Sequence, residues 1–219
     1  PPQEKELTHF DTVGISLSRQ DSQLRSIEIE ELDGPDIYSD DFSTLVGWSS
    51  NGYGRDYRFP TLENGVIRGQ GSGYSDALEP WPTMFQDVDI DSKNGFEMEL
   101  RARSGSSWPN AAYVNLYNTE DTYYRFRLYG ESSNYNIDLD TFIDGEVVPY
   151  RYHIGSGVLS SWHDYKLVRD DDEFSLFIDG ELLEGFNPPD DDEIDDIRRI
   201  AVIVAREDSE MDSFQLIGS

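Results

Sequence analysis

The chain has 219 residues, of which 45 are Asp or Glu and 17 are Lys or Arg, for a formal charge of −28. That balance excludes nucleic acid as a partner, because phosphate contacts need a basic surface, and the absence of cysteine excludes both a disulfide framework and a thiolate metal site. A 37% hydrophobic and 13% aromatic content is enough for a packed core, so the acid coats a folded body and is not a disordered tail.

The chain opens PPQEKELTHF, with neither a basic nor an apolar leader segment. Read as an intact product that has lost its initiator Met, it is not expected to be exported through a signal peptide; read as a processed or trimmed chain, it carries no such expectation. Residues 13–19 (VGISLSR) and 24–32 (LRSIEIEEL) alternate apolar and polar positions across a polar turn at Gln20-Asp21-Ser22, which predicts two paired strands. Two strands do not hold a fold alone, so residues 1–36 are expected to form an N-terminal β-hairpin arm that docks on the main body, on another subunit or in a larger particle. The turn cluster Asp33-Gly34-Pro35-Asp36 marks the boundary.

Residues 37–219 read as one domain. Period-two alternation predicts strands near 37–42, 65–70, 83–90, 96–103, 111–117, 123–129, 135–142, 147–153, 163–169, 173–178, 200–206 and 211–217, with Gly, Pro, Asn, Asp and Ser at the intervals. Phe174, Leu176 and Ile178 alternate inward before Asp179-Gly180, a hairpin turn leading into Glu181-Leu182-Leu183. One or two helical turns are expected in the acidic segment 188–197. Its run Pro188-Pro189-Asp190-Asp191-Asp192 reads as a solvated loop, since it lacks the Gly-containing spacing of a calcium loop. No apolar run approaches the ~18 residues of a membrane span. So many short strands predict an all-β fold, a two-sheet antiparallel jelly-roll sandwich.

Ser39-Asp40-Asp41-Phe42 with Gly47-Trp48, Glu63-Asn64-Gly65-Val66-Ile67-Arg68, and Gly95-Phe96-Glu97-Met98-Glu99-Leu100-Arg101-Ala102-Arg103 come in a telling order. They are followed by Trp162-His163-Asp164-Tyr165-Lys166-Leu167, Phe174 to Gly180, and Met211-Asp212-Ser213-Phe214-Gln215-Leu216. In this order the pieces resemble the concanavalin A-like lectin/glucanase superfamily, especially laminin-G-like modules and domains related to 3-keto-disaccharide hydrolases. The resemblance implies that the first and last strands pair, and that one structural Ca²⁺ is held by an acid of the first strand, a loop and an acid of the last strand. Asp41, Asn94 and Asp212 match those positions by order. Hard oxygen ligands suit calcium, although a chain this acidic places carboxylates everywhere.

Sugar rings dock on aromatic planes flanked by hydrogen-bonding side chains. The stretches 113–118, 123–129 and 134–136 carry that mixture on neighbouring strands. Alternation puts Tyr124, Phe126 and Leu128 on the core side and Tyr123, Arg125, Arg127 and Tyr129 on the other. With Tyr113, Asn115 and Tyr117, and with the loop residues Trp81 and Trp108, these are the expected ligand contacts; Trp48 and Trp162 are expected in the core. The plain alternative is a set of β-formers with surface Arg–carboxylate pairs.

Catalysis has less support. The acid pairs Asp87/Asp89/Asp91, Glu97/Glu99 and Asp138/Asp140 lack the E-x-D-x-x-E pattern of retaining glycosidases of this superfamily. A lyase site built from Arg101 or Arg103 with His153 lacks the expected Q-[IV]-H strand. Nucleophile, phosphate-loop and HExxH signals are absent.

A surface of this charge repels itself in dilute salt and is tolerated where counterions screen it. That predicts a protein of a halophile, with a mesophilic binder of cations or basic partners as the alternative. Together these features predict a non-catalytic, glycan-binding adhesion module in high salt. It is expected on a virion, such as a viral tail or capsid surface, or on a cell surface, and to be oligomeric through its arm. A structural virion protein without ligand, and a polysaccharide-degrading enzyme of the same fold, are the alternatives.

Overall fold

The structure is a computed structural model and describes residues 36–53, 55–56, 58–69, 82–104, 110–131, 134–155, 158–171, 173–189, 194–205 and 209–218. The arm expected over 1–36 lies outside these residues, apart from Asp36. The strands in chain order are β1 (Ile37–Asp40), β2 (Asn51–Gly52), β3 (Arg55–Asp56), β4 (Thr61–Glu63), β5 (Val66–Arg68), β6 (Thr83–Asp91), β7 (Gly95–Ser104), β8 (Asn110–Tyr117) and β9 (Tyr123–Glu131). They continue with β10 (Asn134–Ile143), β11 (Glu146–Val148), β12 (Arg151–Ile154), β13 (His163–Asp170), β14 (Glu173–Ile178), β15 (Glu181–Leu182), β16 (Asp196–Ala205) and β17 (Ser209–Gly218). No helix occurs among the described residues.

The described strands form two large antiparallel sheets, and β2 and β3 pair as a separate two-stranded one. The back sheet runs β15-β14-β13-β7-β17-β5-β4, and the front sheet runs β11-β10-β9-β8-β16-β6. β7 covers one edge of β17 along its length, while β1 and β5 share the other, β1 at residues 214–217 and β5 at Glu210 and Met211. On the front sheet β11 and β12 likewise share the free edge of β10. The first described strand therefore pairs with the last, as the resemblance implies. This is a jelly-roll sandwich.

Alternation explains the core. Phe96, Met98 and Leu100 of β7 and Tyr165 and Leu167 of β13 face Tyr124, Phe126 and Leu128 of β9 and Val202 of β16, all nearly inaccessible. The rings of Phe96 and Tyr124 stand 5.8 Å apart across the two sheets, and each such side chain contributes roughly 1.5–3 kcal/mol by burial. Three hairpins close on Asx-Gly pairs with both residues at positive φ: Asn64-Gly65, Asp144-Gly145 and Asp179-Gly180. A two-residue turn of that hand matches strand twist, and its second position suits glycine.

Two expectations are corrected. The strand predicted over 147–153 is split into β11 and β12, because Pro149 has no N–H to give to the β10 ladder. The helical turns predicted over 188–197 are not found among the described residues there; Asp196 and Ile197 already belong to β16, pairing with Asp91 and Ile90. Trp48 is buried as expected and donates its indole N–H to Asp40 at 2.6 Å. Trp162 is only half-buried, with the guanidinium groups of Arg101 and Arg103 over its ring at 5.8 and 5.6 Å.

Candidate functional site

The two outer faces of the sandwich differ. On the back sheet, Glu97, Glu99, Arg101 and Asp164 point to solvent, Lys166 pairs with Glu97 and Glu99, and Arg101 pairs with Asp164 and Asp212. These are exposed, screened pairs of small energetic weight. A groove of about 760 Å³ runs over this face beside Asp40, Asp41 and Arg101. The front sheet instead buries many of its outer side chains, among them Tyr113, Asn115, Asn136, Asp138 and Asp140.

Register lays the front face out as rows. Arg199, Tyr117, Tyr123 and Phe142 form one row across β16, β8, β9 and β10; Ala201, Asn115, Arg125 and Asp140 form the next. The third holds Ile203, Tyr113, Arg127 and Asp138 with Arg151 of β12, and the fourth Ala205, Ala111, Tyr129 and Asn136 with His153. The half toward β6 is apolar: Phe85, Ala111, Tyr113, Tyr117, Ala201 and Ile203 make a second buried cluster, separate from the core. The half toward β12 is a polar network.

In that network Asp138, 1% exposed, accepts two hydrogen bonds from Arg151 at 3.0 and 3.1 Å and a third from Arg127. Asp140 takes Arg125 at 2.6 and 3.1 Å. The arginines also lie over rings, Arg125 over Phe142 at 4.8 Å and Arg127 over Tyr129 at 5.0 Å and Tyr113 at 5.6 Å. Such contacts are strengthened by desolvation. Asn115 donates to the Tyr117 hydroxyl at 2.8 Å. On this face the buried amide oxygens Asn115 Oδ1 and Asn136 Oδ1 have no hydrogen-bond partner, and Arg127 is also hydrogen-bonded to Tyr113.

Three phenols of this face, Tyr53, Tyr113 and Tyr123, hold their protons more tightly than a free tyrosine. Burial pushes Tyr113 up to about 12 and Tyr53 likewise to about 12, and burial also raises Tyr123. Tyr53, from the turn between β2 and β3, closes one end of the face. Its ring lies 5.1 Å from Tyr117, Arg199 stacks on it at 4.9 Å, and Gly52 sits so close to the Phe85 ring that a Cβ there would fall 2.6 Å from it. Tyr117, Tyr123 and Phe142 then stack in turn at 4.5 and 4.2 Å.

Of the expected ligand contacts, Tyr113, Asn115, Tyr117, Tyr123, Arg125, Arg127 and Tyr129 all share this face. Trp81 and Trp108 lie outside the described residues. Tyr117 and Tyr123 stack on each other, so they form part of the floor more than a free platform. Asn136, Asp138, Asp140 and Arg151 were not among the expected contacts, although the signal was present: pairing Glu131 with Asn134 brings Arg127 opposite Asp138 and Arg125 opposite Asp140.

The expected calcium ligands do not converge. Asp41 follows β1 and Asp212 sits in the bulge of β17 opposite Arg101, but Asn94 precedes β7 at its other end. Seven residues of strand separate Asn94 from Arg101, about 20 Å, so one ion cannot touch all three. Asp212 is also held by Arg101 at 3.1 Å, and burial raises its carboxyl. Among the described residues no group of three His, Cys, Asp or Glu is placed to hold a metal. The other sites weighed from sequence are also separated. Arg101 and Arg103 lie on the outside of the back sheet and His153 on the outside of the front sheet, so no lyase site joins them. Asp87 is taken by Arg199 at 2.5 Å and Asp89 by Arg198.

No protein-family model matches the chain, and a search of curated proteins finds no match. Solved structures share its fold. The CBM2 module of Lactobacillus casei BL23 phage J-1 evolved Dit aligns with a TM-score of 0.59 at 10% identity, over 84% of this chain and 96% of that one. A prokaryotic β-1,3-1,4-glucanase (lichenase) from a mouse hindgut metagenome aligns at 0.57 and 11% identity, over 84% and 99%. A Bacillus licheniformis β-glucanase aligns at 0.56 and 10% identity, over 86% and 100%. At these identities the likeness establishes the two-sheet jelly-roll fold alone.

Proposed function

We propose that the chain is a non-catalytic glycan-binding module, with its ligand on the outer face of the front sheet. One observation carries this reading: a sheet face turned away from the core joins an aromatic cluster to an Arg–Asp network, with Tyr53, Tyr123, Arg125, Arg127 and Tyr129 partly exposed on it. An outer face of an antiparallel sheet is normally solvated. Apolar surface beside a few fixed polar groups is what a sugar requires, with C–H faces against rings and hydroxyls paired.

Proteins of the same fold include both a carbohydrate-binding module and glucanases, so hydrolysis is the competing reading. A retaining mechanism needs two carboxyls free to act on the bond between sugars. Of the face's own carboxylates, Asp138 has both oxygens taken by Arg127 and Arg151, and Asp140 has Oδ2 taken twice by Arg125, which favours binding over turnover. The exposed acids of the back sheet support a high-salt setting for the module. A role on a viral tail or capsid surface extends the proposal, and kinship of fold with a phage module supports it.

Calorimetric titration of the chain in molar salt against a polysaccharide panel, with a parallel assay for reducing-end release, tests this. Saturable binding without turnover is expected. Turnover would return the enzyme reading, and silence on every glycan would overturn the proposal.

A further inference from the structure

We propose that the front face selects a glycan carrying one carboxylate, anchored by Arg151 at the β12 edge of the sheet; the inference rests on the glycan-binding reading above. Charge does not balance along this face. In the first row Arg199 meets Asp87 of β6, and in the second Arg125 meets Asp140. In the third, one carboxylate, Asp138, serves both Arg127 and Arg151. The fourth row, from Ala205 to His153, adds no carboxylate. In a chain of formal charge −28, the third row thus keeps one positive charge that its own carboxylate does not cancel.

That charge is within reach of a ligand. The side chain of Asp138 is 1% exposed and that of Arg127 18%, whereas that of Arg151 is 48% exposed. Arg127 is also hydrogen-bonded to Tyr113 and lies over Tyr129. Arg151 gives its Nε and Nη2 to Asp138 at 3.0 and 3.1 Å, which leaves the two N–H groups of Nη1 for a ligand. The two arginines oppose each other's charge across Asp138, and an anion on Arg151 relieves that repulsion. Beside it stand Tyr129, partly exposed with its ring centre 5.9 Å from the guanidinium, and the exposed His153, one same-face position along β12. They give a sugar ring an apolar edge and a hydrogen-bonding neighbour next to its acid. The guanidinium fork matches the two oxygens of a carboxylate, and such a charge-assisted bond is about twice as strong as one to a hydroxyl. The acidic coat limits the ligand to one acid, since each further carboxylate approaches a surface of like charge.

The test is calorimetry on the full chain, at low and molar salt, with three trisaccharides: one bearing a single glucuronate, its carboxyl-reduced counterpart, and trigalacturonate. In molar salt, where the coat is screened within about 3 Å, the single-acid ligand is expected to bind about tenfold tighter than its reduced counterpart. At low salt trigalacturonate should bind more weakly than the single-acid ligand. R151Q should bring the acid-to-neutral ratio close to one, with a melting temperature near the parent's, because Arg127 and Asp138 are left one to one. R151K, which keeps the charge and loses the fork, should retain a ratio of about threefold. R198Q, which removes an equal charge from the Asp89 pair on β16, should leave the ratio as in the parent. A parent ratio of one or below would overturn acid selection and leave the glycan-binding reading standing. A ratio that R151Q does not move, or that R198Q lowers as far, would overturn Arg151 as the anchor. Tighter binding of trigalacturonate at low salt would overturn the limit to one acid. Binding of none of the three while another glycan of the panel binds would overturn this proposal alone, and silence throughout would overturn the glycan-binding reading with it.

Discussion

Replacing Asp138 by alanine removes the centre of the front-face network. Asp138 is 1% exposed and is shared by Arg127, with 18% of its side chain exposed, and Arg151, with 48%. Truncating one member of a buried pair typically costs 3–5 kcal/mol, because the remaining charge has lost its partner without regaining water. Arg151 is half in solvent and rehydrates, while Arg127 does not. The expected loss is therefore at the low end, about 3 kcal/mol. For a chain of this size that lowers the melting temperature by about 6–12 °C. The exposed pair Arg198–Asp89, at 50% and 81% exposure, is the control: D89A should cost below about 0.5 kcal/mol. Thermal unfolding of both variants at low and molar salt reads the difference. The D138A loss should persist in molar salt, since buried pairs are poorly screened, and D138A combined with R127M should recover most of it. A D138A loss below about 1 kcal/mol, or one erased by salt, would mean that the network behaves as surface charge.

M98A removes a fully buried side chain from between the sheets and should cost about 2–5 kcal/mol in chemical denaturation with an unchanged m-value. G95A places a Cβ 2.2 Å from the Arg169 carbonyl oxygen at φ +132, so a loss above about 2 kcal/mol is expected, and an unchanged melting temperature would contradict the register of β7 on β13. Tyr113 is raised from 10.0 to about 12 by burial. The folded state thus keeps a proton that the unfolded chain has lost, and stability should fall as pH rises from 10 to about 12. Phenolate absorbance followed beside unfolding checks this, and Tyr113 ionising near 10 would show that the face is wet.

Strand identity was legible because the alternation is strong where one side faces the core: Tyr124, Phe126 and Leu128 turn inward, and Tyr123, Arg125, Arg127 and Tyr129 turn outward, as their spacing requires. Asp179-Gly180 announced its hairpin because a turn with two positive φ angles favours that pair. Register was harder to read. The link from Arg127 to Asp138 depends on which residues β9 and β10 pair across their turn, and a shift of one would send Asp138 into the core. The same gap explains Asn94, whose order in the chain suggested a shared calcium site but whose register puts it at the far end of β7. Tyr53 closes the face from strands of two residues each, too short for alternation to show. Trp162 reads as core by residue type, yet by alternation it shares the outward side of Asp164 and takes up Arg101 and Arg103 instead.

The most direct test of the front face as a glycan site is a crystal structure of the chain soaked with a trisaccharide in molar salt. The sugar is expected over the partly exposed Tyr123, Arg125, Arg127 and Tyr129 of the front face. A sugar seated in the groove of the back sheet beside Asp41 and Arg101, or density for water alone on the front face at saturating ligand, would contradict it.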